Sequence, residues 1–402
     1  MNWIQQMNSQ QWPDRYFIPP PGCPLSVWEE HCLPLFPTLK AELEKTPQDA
    51  VYHGEGDVWT HTKMVVDALL NHPSYAQLSP ARAGVVFYAA LLHDISKPET
   101  TQERNGQIIA PGHSRKGAVE VRRLFWEQQV PFALREMVCR LIEVHQLPFF
   151  AFNDKSGLTP EYLAIKVSQD RDIELLCLLA EADIQGRICP DQAKILNDIE
   201  LFRMIAQEQN CFQQAFEFPS EHTRMAYFQS RGKRYPHEAV FVDTNQTFEV
   251  IVLSGLPATG KNTWVENHGQ GRPVVSYDDM RAQMGYKHGQ GTGAVVHAVD
   301  DQIREYLRQK QSFIINATHL SEQMRERPLQ LLHDYHASIR IVYLEEPQPL
   351  LLQRNHARNT TLDNAQLLRM THRWEVPGLL EAHHVDYWIN QHALKPKKKF
   401  KI

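Results

Sequence analysis

The chain lacks the features that mark membrane-spanning and secreted proteins. It has no run of eighteen apolar residues, and its first residues show neither the basic start nor the apolar centre of a signal peptide. Its six cysteines are scattered and contain no C-x-x-C pair, which predicts reduced thiols that mostly pack in the core. We therefore expect a cytoplasmic protein that makes no contact with a membrane.

A strong charge of either sign is also lacking. The formal net charge of the 402 residues is -5, which argues against a protein that coats polyanions without selectivity. A small net charge still permits a local basic groove. The length predicts two or three domains, each with enough apolar sequence to form its own core.

The pattern of apolar residues changes once along the chain. From about residue 53 to residue 207 the spacing is typical of helices, whereas after residue 248 strands and helices alternate. We predict two domains, an all-α domain followed by an α/β domain with a parallel sheet. The predicted bounds are an N-terminal extension over 1–49, the helical domain over 50–210, a connecting segment over 211–247 and the α/β domain over 248–402.

The α/β part begins with a motif that is typical of phosphate binding. An apolar strand at 250–253 is followed by Gly255, Gly260 and Lys261 in the G-x-x-x-x-G-K spacing of a P-loop. The glycines let backbone N–H groups turn toward phosphate oxygens, and the lysine adds a positive charge. The next position normally holds a Ser or Thr that binds Mg²⁺, but here it is Asn262, followed by Thr263. The magnesium ligand is therefore left open between these two side chains and water.

Charged residues follow the later strands of this domain. A short strand at 274–276 leads into Asp278, Asp279 and Arg281, and a carboxylate at that place can act as a base beside a bound triphosphate. The aspartates could instead cap the following helix. Arg354 and Arg358 are spaced for one helical face that reaches over phosphates, or for a solvated basic face.

The helical part contains histidines and aspartates in otherwise apolar segments. Neutral imidazole and carboxylate groups suit Zn, Mn, Fe, Co or Ni, and an adjacent His-Asp pair can bind one ion. Each histidine taken alone could also be an ordinary core or surface residue, since the chain has 20 of them. The candidate metal ligands are His61, His93, Asp94, His113, His145 and Asp183.

The sequence around these residues resembles the HD phosphohydrolase superfamily, and most closely the HD domains attached to CCA-adding enzymes. The matching segments are GDVWTHT at 56–62, AALLHDISKPETT at 89–101, GHS at 112–114 and AEADIQGR at 180–187. The resemblance implies a metal-dependent phosphoesterase with His61, His93, Asp94 and Asp183 as ligands, and His113 and His145 as extra ligands if two ions bind. Lys97 is the candidate to neutralise the phosphate, or else a surface lysine that caps a helix.

The α/β part resembles the 5′-hydroxyl polynucleotide kinases of RNA repair. The matching motifs are GLPATGKNTW, YDDMR, NATH and QRN-x-x-R, in that order. The resemblance implies ATP and Mg²⁺ as cofactors, with Lys261 on the β- and γ-phosphates and Asp278 as general base for a 5′-hydroxyl. It also implies that Arg281 contacts the acceptor phosphate and that Arg354 and Arg358 are lid arginines.

The combination of the two domains resembles the HD-Pnk family of bacterial end-healing enzymes. That resemblance implies RNA or DNA ends as substrates and a ligase as the enzyme that acts next. Two alternatives stay open at this point. One is a small-molecule kinase fused to a nucleotide phosphohydrolase, and the other is an ATP-binding regulatory module with an inactive HD site.

Overall fold

The computed structural model describes residues 3–153, 157–241, 248–287, 290–358 and 362–394. The described residues up to Glu217 form one compact unit, and those from Phe218 onward form a second. Residues 3–49 are thus part of the helical unit, and the segment 218–241 is part of the other. In the described part of the chain no helix is both long enough and apolar enough to cross a bilayer.

The first unit is built from helices and a short β-hairpin, which the helical pattern did not predict. The elements are α1 Trp3–Asn8, α2 Leu25–Cys32, α3 Leu39–Glu44, α4 Val58–Asn71, α5 Pro80–Leu92, α6 Lys97–Thr100, β1 Gln102–Arg104, β2 Gln107–Ile109, α7 His113–Glu127, α8 Phe132–Val144, α9 Leu147–Phe150, α10 Pro160–Ser168, α11 Ile173–Gln185 and α12 Gln192–Glu208.

Helix α5 forms the centre of this unit. Every residue from Gly84 to Leu92 is buried, because this helix is apolar on all sides and contacts α4, α8 and α11. Ser79 begins the helix by accepting a hydrogen bond from the N–H of Arg82. The C-terminal end of α5 therefore delivers the next two residues, His93 and Asp94, into the interior.

The second unit is an α/β domain. Its elements are α13 Glu221–Gln229, β3 Glu249–Ser254, α14 Lys261–His268, β4 Val274–Ser276, α15 Tyr277–Gln283, α16 Thr292–Arg308, β5 Phe313–Asn316, α17 Glu322–Asp334, β6 Ser338–Glu345, α18 Gln348–Ala357, α19 Asn364–Met370, β7 His384–Ile389 and β8 His392–Ala393. The strand order is β4-β5-β3-β6-β7-β8, in which the first five strands are parallel and β8 is antiparallel.

Strand β3 lies in the middle of this sheet. It pairs with β5 on one side and β6 on the other, and its residues 250–254 are buried because helices cover both faces. In a parallel sheet the carboxyl ends of all strands meet at one edge, and this edge is where ligands bind in such folds. The prediction of a helical domain followed by an α/β domain with a mainly parallel sheet is confirmed.

Candidate metal centre and candidate nucleotide site

Six side chains converge inside the helical unit from five helices. His61 comes from α4, His93 and Asp94 follow α5, His113 begins α7, His145 follows α8 and Asp183 lies on α11. Asp57 fixes the start of α4 by accepting a hydrogen bond from the N–H of Thr60. All six are buried, and they are the six residues that the sequence predicted as metal ligands.

The ligand atoms of this cluster lie close together. His61 Nε2 is 3.3 Å from His93 Nε2 and 3.1 Å from an oxygen of Asp183. Asp94 Oδ2 is 3.1 Å from His93 Nε2, and Asp94 Oδ1 is 3.4 Å from His113 Nε2. His145 Nε2 is 3.9 Å from Asp183 Oδ2. Such distances bring nitrogen and oxygen donors within reach of one common ion.

The far nitrogen of each imidazole is held by a hydrogen bond. The Nδ1–H groups of His93, His113 and His145 donate to the carbonyl oxygens of Ala90, Ala110 and Ile142, at 2.8, 2.8 and 2.7 Å. This pattern fixes the tautomer and leaves the Nε2 lone pairs directed into the cluster. Because the Nε2 lone pairs are all acceptors and cannot hydrogen-bond to one another, a cation is the partner that suits this arrangement.

The electrostatics of the cluster favour metal binding. Burial lowers the pKa of His145 to about 3 and also lowers the pKa of His113, which keeps both rings neutral as ligands must be. Burial would raise the pKa of Asp183, but Arg187 and His61 outweigh it and hold that pKa well below its usual value. Burial likewise lowers the pKa of His61, but hydrogen bonding with Asp183 and Glu55 outweighs burial and raises it. A proton and a cation therefore compete for this ring.

The residues present fit one or two divalent ions. His145 Nε2 is buried and has no hydrogen-bond partner in the described structure, as expected of an atom that awaits a metal. Three groups of donors overlap within the cluster. They are His61, His93 and Asp94, then His93, His145 and Asp183, and finally Asp94, His113 and His145. Imidazole and carboxylate donors suit Mn, Fe, Co, Ni or Zn.

Two cations face the carboxylates of the cluster. Lys97 Nζ is 2.8 Å from Asp94 Oδ2 and donates to Gln48 Oε1 at 2.6 Å. Arg187 donates two hydrogen bonds to Asp183, at 3.0 and 2.9 Å. Lys97 is 6 % exposed, so the alternative of a surface lysine is wrong. Both cations stand where they can attract a phosphate toward a bound ion.

Sequence reasoning missed Glu55, which supports this cluster together with its hydrogen-bond partner His53. Glu55 lies 3.1 Å from Nδ1 of His61 and accepts a hydrogen bond from Nδ1 of His53 at 2.8 Å. Its other oxygen accepts from the N–H of Ile188 at 2.9 Å. Burial raises the pKa of Glu55, but hydrogen bonds from His53 and His61 outweigh burial, so the pKa is lowered and the side chain stays ionised. The signal in the sequence was an acidic residue shortly before the first histidine ligand.

The second unit has a cavity of ≈ 760 Å³ at the carboxyl edge of its sheet. It is lined by residues 257–264 of the P-loop, by Asp278 and Asn316 at the β4–β5 side, by Arg354 and Arg358, and by Trp388 near the end of β7. The volume suits a nucleotide-sized ligand. The cavity brings together seven of the predicted residues, namely Gly260, Lys261, Asn262, Thr263, Asp278, Arg354 and Arg358, whereas Gly255 and Arg281 are not among the residues that line it.

The loop after β3 takes the shape that its glycines allow. Gly260 has a φ of +90° immediately before α14, and Gly255 has a φ of +149° with no room for a Cβ, which would lie 2.4 Å from the carbonyl oxygen of Leu344. Lys261 Nζ donates to the carbonyl oxygens of Gly255 and Leu256 at 2.9 and 2.8 Å. The lysine is thus held over the loop, ready to turn to a phosphate.

Asp278 and the arginines stand at the mouth of this cavity. Asp278 is 86 % exposed and accepts a hydrogen bond from Arg281 at 2.8 Å, and Arg354 pairs with Glu346 at 3.0 Å. Ser276 caps α15 by accepting from the N–H of Asp279, so capping does not require Asp278. The predicted common helical face of Arg354 and Arg358 is wrong, because α18 ends at Ala357 and Arg358 has an extended backbone.

Two family models match the chain. The model described as HD domain matches residues 58–183, and the model described as AAA domain matches residues 250–377. Among curated proteins, the multifunctional CCA protein of Pasteurella multocida is 33% identical over 116 residues, which cover 28% of this chain and 25% of that protein. The multifunctional CCA protein of Halorhodospira halophila is 31% identical over 127 residues, or 32% of this chain and 28% of that protein. The chain thus matches about a quarter of each relative's length.

Two solved structures resemble part of the chain at low sequence identity. A candidate kinase from Chloroflexus aurantiacus is 19% identical with a TM-score of 0.32, and covers 36% of this chain and 87% of that chain. A gluconokinase from Sinorhizobium meliloti is 18% identical with a TM-score of 0.27, and covers 37% of this chain and 84% of that chain. The two family models therefore give a chain in which a segment that matches the HD domain precedes a segment that carries the P-loop and matches the AAA domain.

Proposed function

We propose that this chain heals nucleic-acid ends with two active sites. The P-loop domain transfers the γ-phosphoryl group of ATP·Mg²⁺ to a 5′-hydroxyl end. The HD domain, with a divalent transition metal, hydrolyses 2′,3′-cyclic phosphate or 2′/3′-phosphate ends. The products, a 5′-phosphate and free 3′ hydroxyls, are those that a nucleic-acid ligase can join.

The observation that carries the kinase proposal is the position of Asp278. Its carboxylate is 86 % exposed at the mouth of the cavity that also contains the P-loop and Arg358. An open acceptor side supports an acceptor that is one end of a polymer, since a small molecule is usually enclosed. A carboxylate in this place can take the proton from a hydroxyl as it attacks the γ-phosphorus.

The HD proposal rests on the buried cluster and its two cations. A bound transition metal would lower the pKa of a water molecule and so supply a nucleophile near neutral pH. His61, His93, Asp94 and Asp183, with His113 and His145, would hold the ion or ions. Lys97 and Arg187 would neutralise the charge of the phosphate that reaches them.

The test of the kinase is incubation of the protein with γ-labelled ATP, Mg²⁺ and a 5′-hydroxyl RNA or DNA oligonucleotide, with free nucleoside as a parallel acceptor. Label on the oligonucleotide and not on the nucleoside would support a polynucleotide kinase. Equal labelling of both would favour the small-molecule kinase. Binding of ATP without transfer to either acceptor would favour the regulatory module.

The test of the HD site uses an oligonucleotide that ends in a 2′,3′-cyclic phosphate, incubated in turn with Mn²⁺, Ni²⁺, Co²⁺, Zn²⁺ or Fe²⁺. Opening of the cyclic phosphate that disappears in the Asp183→Asn variant would support the proposal. An inert wild type with every ion would overturn it.

A further inference from the structure

Large apolar side chains are exposed on the segments that adjoin the metal ligands of the helical unit, among them Tyr52, Phe150 and Ile188. Tyr52 is 49 % exposed, and Phe150 and Ile188 are each 57 % exposed. We name these three residues the apolar rim. A single exposed apolar residue needs no explanation, but a group that borders one site marks a binding surface.

The apolar rim is tied to the cluster by short contacts. The N–H of Gly54 donates to the carbonyl oxygen of Ile188 at 2.9 Å, and the N–H of Ile188 donates to Glu55, which also contacts His61. These bonds hold the loop that carries Tyr52 beside the loop that carries Ile188. Both loops therefore adjoin the side chain that supports a metal ligand.

Phe150 is connected to the same site from the other side. It ends α9, which begins two residues after His145. The guanidinium of Arg187 lies 5.0 Å from the ring centre of Phe149, and the rings of Phe149 and Phe150 are 6.2 Å apart. Arg187 in turn binds Asp183. The exposed ring of Phe150 thus adjoins Phe149, whose ring contacts one of the two cations that face the metal cluster.

The chemistry of this border has two parts. The metal cluster with Lys97 and Arg187 attracts a phosphate, whereas the apolar rim offers flat and apolar surface just outside it. A ligand that satisfies both is anionic at one end and carries aromatic rings a few ångströms further on. A single-stranded nucleic-acid end has this composition, and stacking of a base on an aromatic side chain contributes about 1–3 kcal/mol.

We propose that the apolar rim stacks the unpaired bases that precede a terminal phosphate, so that the substrate of the HD site is a single-stranded oligonucleotide end and not a mononucleotide. The inference rests on the proposed phosphohydrolase function and names the substrate class of that site. It assigns Phe150 and Tyr52 as residues that determine specificity, with Ile188 as additional apolar surface.

The experiment compares two substrates of one chemistry, a short oligoribonucleotide that ends in a 2′,3′-cyclic phosphate and a 2′,3′-cyclic mononucleotide, at a saturating concentration of the preferred metal. The variants are Phe150→Ala and Tyr52→Ala, with Tyr52→Phe to keep the ring. Met204→Ala is the matched control, because Met204 is similarly exposed on α12 of the same unit.

We expect Phe150→Ala and Tyr52→Ala to lower kcat/KM for the oligonucleotide by about 5- to 150-fold, mainly through KM, because each removes one stacking surface. Hydrolysis of the mononucleotide should stay unchanged in both. Tyr52→Phe and Met204→Ala should behave as the wild type with both substrates.

Three outcomes would overturn the inference. If the wild type hydrolyses both substrates equally well and the rim variants do the same, the inference is wrong while the phosphohydrolase function stands. If the rim variants change only the self-association of the protein in solution, the apolar rim is a protein interface. If the wild type hydrolyses neither substrate with any ion, the proposed function itself fails.

Discussion

The side-chain amide of Asn316 donates a hydrogen bond of 2.8 Å to the amide oxygen of Asn262. Asn262 occupies the P-loop position that normally carries a hydroxyl for Mg²⁺. Because the oxygen of an amide has two lone pairs, one of them stays available to a cation in the cavity that both residues line. Asn316 at the end of β5 therefore orients the amide that stands in the place of that hydroxyl.

This relationship predicts that Asn316→Ala weakens magnesium binding without removing the P-loop. Loss of an outer partner of a metal ligand typically costs about 10- to 100-fold in metal affinity. The measurement is Mn²⁺ binding by electron paramagnetic resonance in the presence of a non-hydrolysable ATP analogue. Asn267→Ala is the control, since Asn267 lines the same cavity. An unchanged Mn²⁺ affinity in Asn316→Ala would indicate that Thr263 or water, and not Asn262, binds the magnesium ion.

The lowered pKa of Lys261 leads us to predict that nucleotide binding depends on pH. Burial and the nearby Arg358 lower the pKa of Lys261 to about 7 in the free site. A bound triphosphate favours the charged ammonium and raises that pKa again. Above pH 7 the free lysine is mostly neutral while the bound one is charged, so binding takes up a proton. The affinity for a Mg²⁺-bound ATP analogue should therefore fall by up to about tenfold per pH unit above pH 7.

Calorimetry in two buffers of different ionisation enthalpy measures this proton uptake directly. Lys261→Arg should bind without the uptake, because a guanidinium stays protonated throughout this range. A wild-type affinity that is flat from pH 7 to pH 8.5 would contradict the prediction.

The sequence pointed to residues that converge in the cluster and in the cavity, but not to the contacts that support them. Short sequence motifs contain His61, His93, Asp94 and Asp183, and these motifs do not depend on how the surrounding helices pack. The spacing of Gly255, Gly260 and Lys261 is likewise a local pattern, and it is typical of a P-loop. Local patterns of this kind can be read without knowledge of distant contacts.

The supporting contacts join residues that are far apart in the chain, so no local pattern contains them. Glu55 reaches Ile188 across 133 positions, and Asn316 reaches Asn262 across 54. The pairing of β7 with β6 was also not predicted, since the register of Arg340 with His384 is set by the folded sheet. The end of α18 before Arg358 could not be inferred from the spacing of two arginines.

Glu55 leads to a prediction about metal affinity. Its carboxylate and the carbonyl oxygen of Gly186 both lie 3.1 Å from Nδ1 of His61, and together they direct Nε2 of that ring toward the ion. Glu55→Gln should weaken Mn²⁺ binding to the HD site by about 10- to 100-fold. Titration calorimetry with Mn²⁺ on the metal-free protein measures this. Glu103→Gln, an exposed glutamate on β1, is the control, and equal affinities in the two variants would exclude a supporting role for Glu55.

The buried hydrogen bonds of Glu136 lead to a prediction about stability. It is fully buried on α8, accepts two hydrogen bonds from Arg122 at 3.0 and 3.1 Å and receives another from Arg135 at 2.8 Å. Glu136→Gln removes the carboxylate that lies between two buried guanidinium groups and should lower the free energy of unfolding of α8 by about 3–5 kcal/mol at pH 7. Hydrogen exchange of the α8 amides measures it. The more exposed pair of Glu127 with Arg123 gives the control Glu127→Gln, worth about 0–1 kcal/mol.

The same carboxyl predicts how this difference varies with pH. Burial raises the pKa of Glu136, but Arg122 and Arg135 outweigh it and lower the pKa from 4.5 to about 2. A carboxyl with a lowered pKa contributes stability above its unfolded pKa and loses it as the pH falls through the folded one. The wild type and Glu136→Gln should therefore differ fully above pH 4.5 and converge toward pH 2. A difference that stays constant across this range would show that lost packing, not lost charge, destabilises the variant.

The last prediction concerns the independence of the two sites. Asp94 contacts His93, His113 and Lys97, so Asp94→Asn removes the most connected carboxylate of the metal cluster and should abolish phosphohydrolase activity. Asp278→Asn removes the candidate base from the other unit and should lower phosphoryl transfer by about 100- to 10,000-fold. Because the two aspartates belong to separate compact units, each variant should retain the activity of the other site. Both activities are measured on the same preparation of each variant, and thermal unfolding checks that each variant is folded. Loss of both activities in either well-folded variant would mean that the two sites do not act independently.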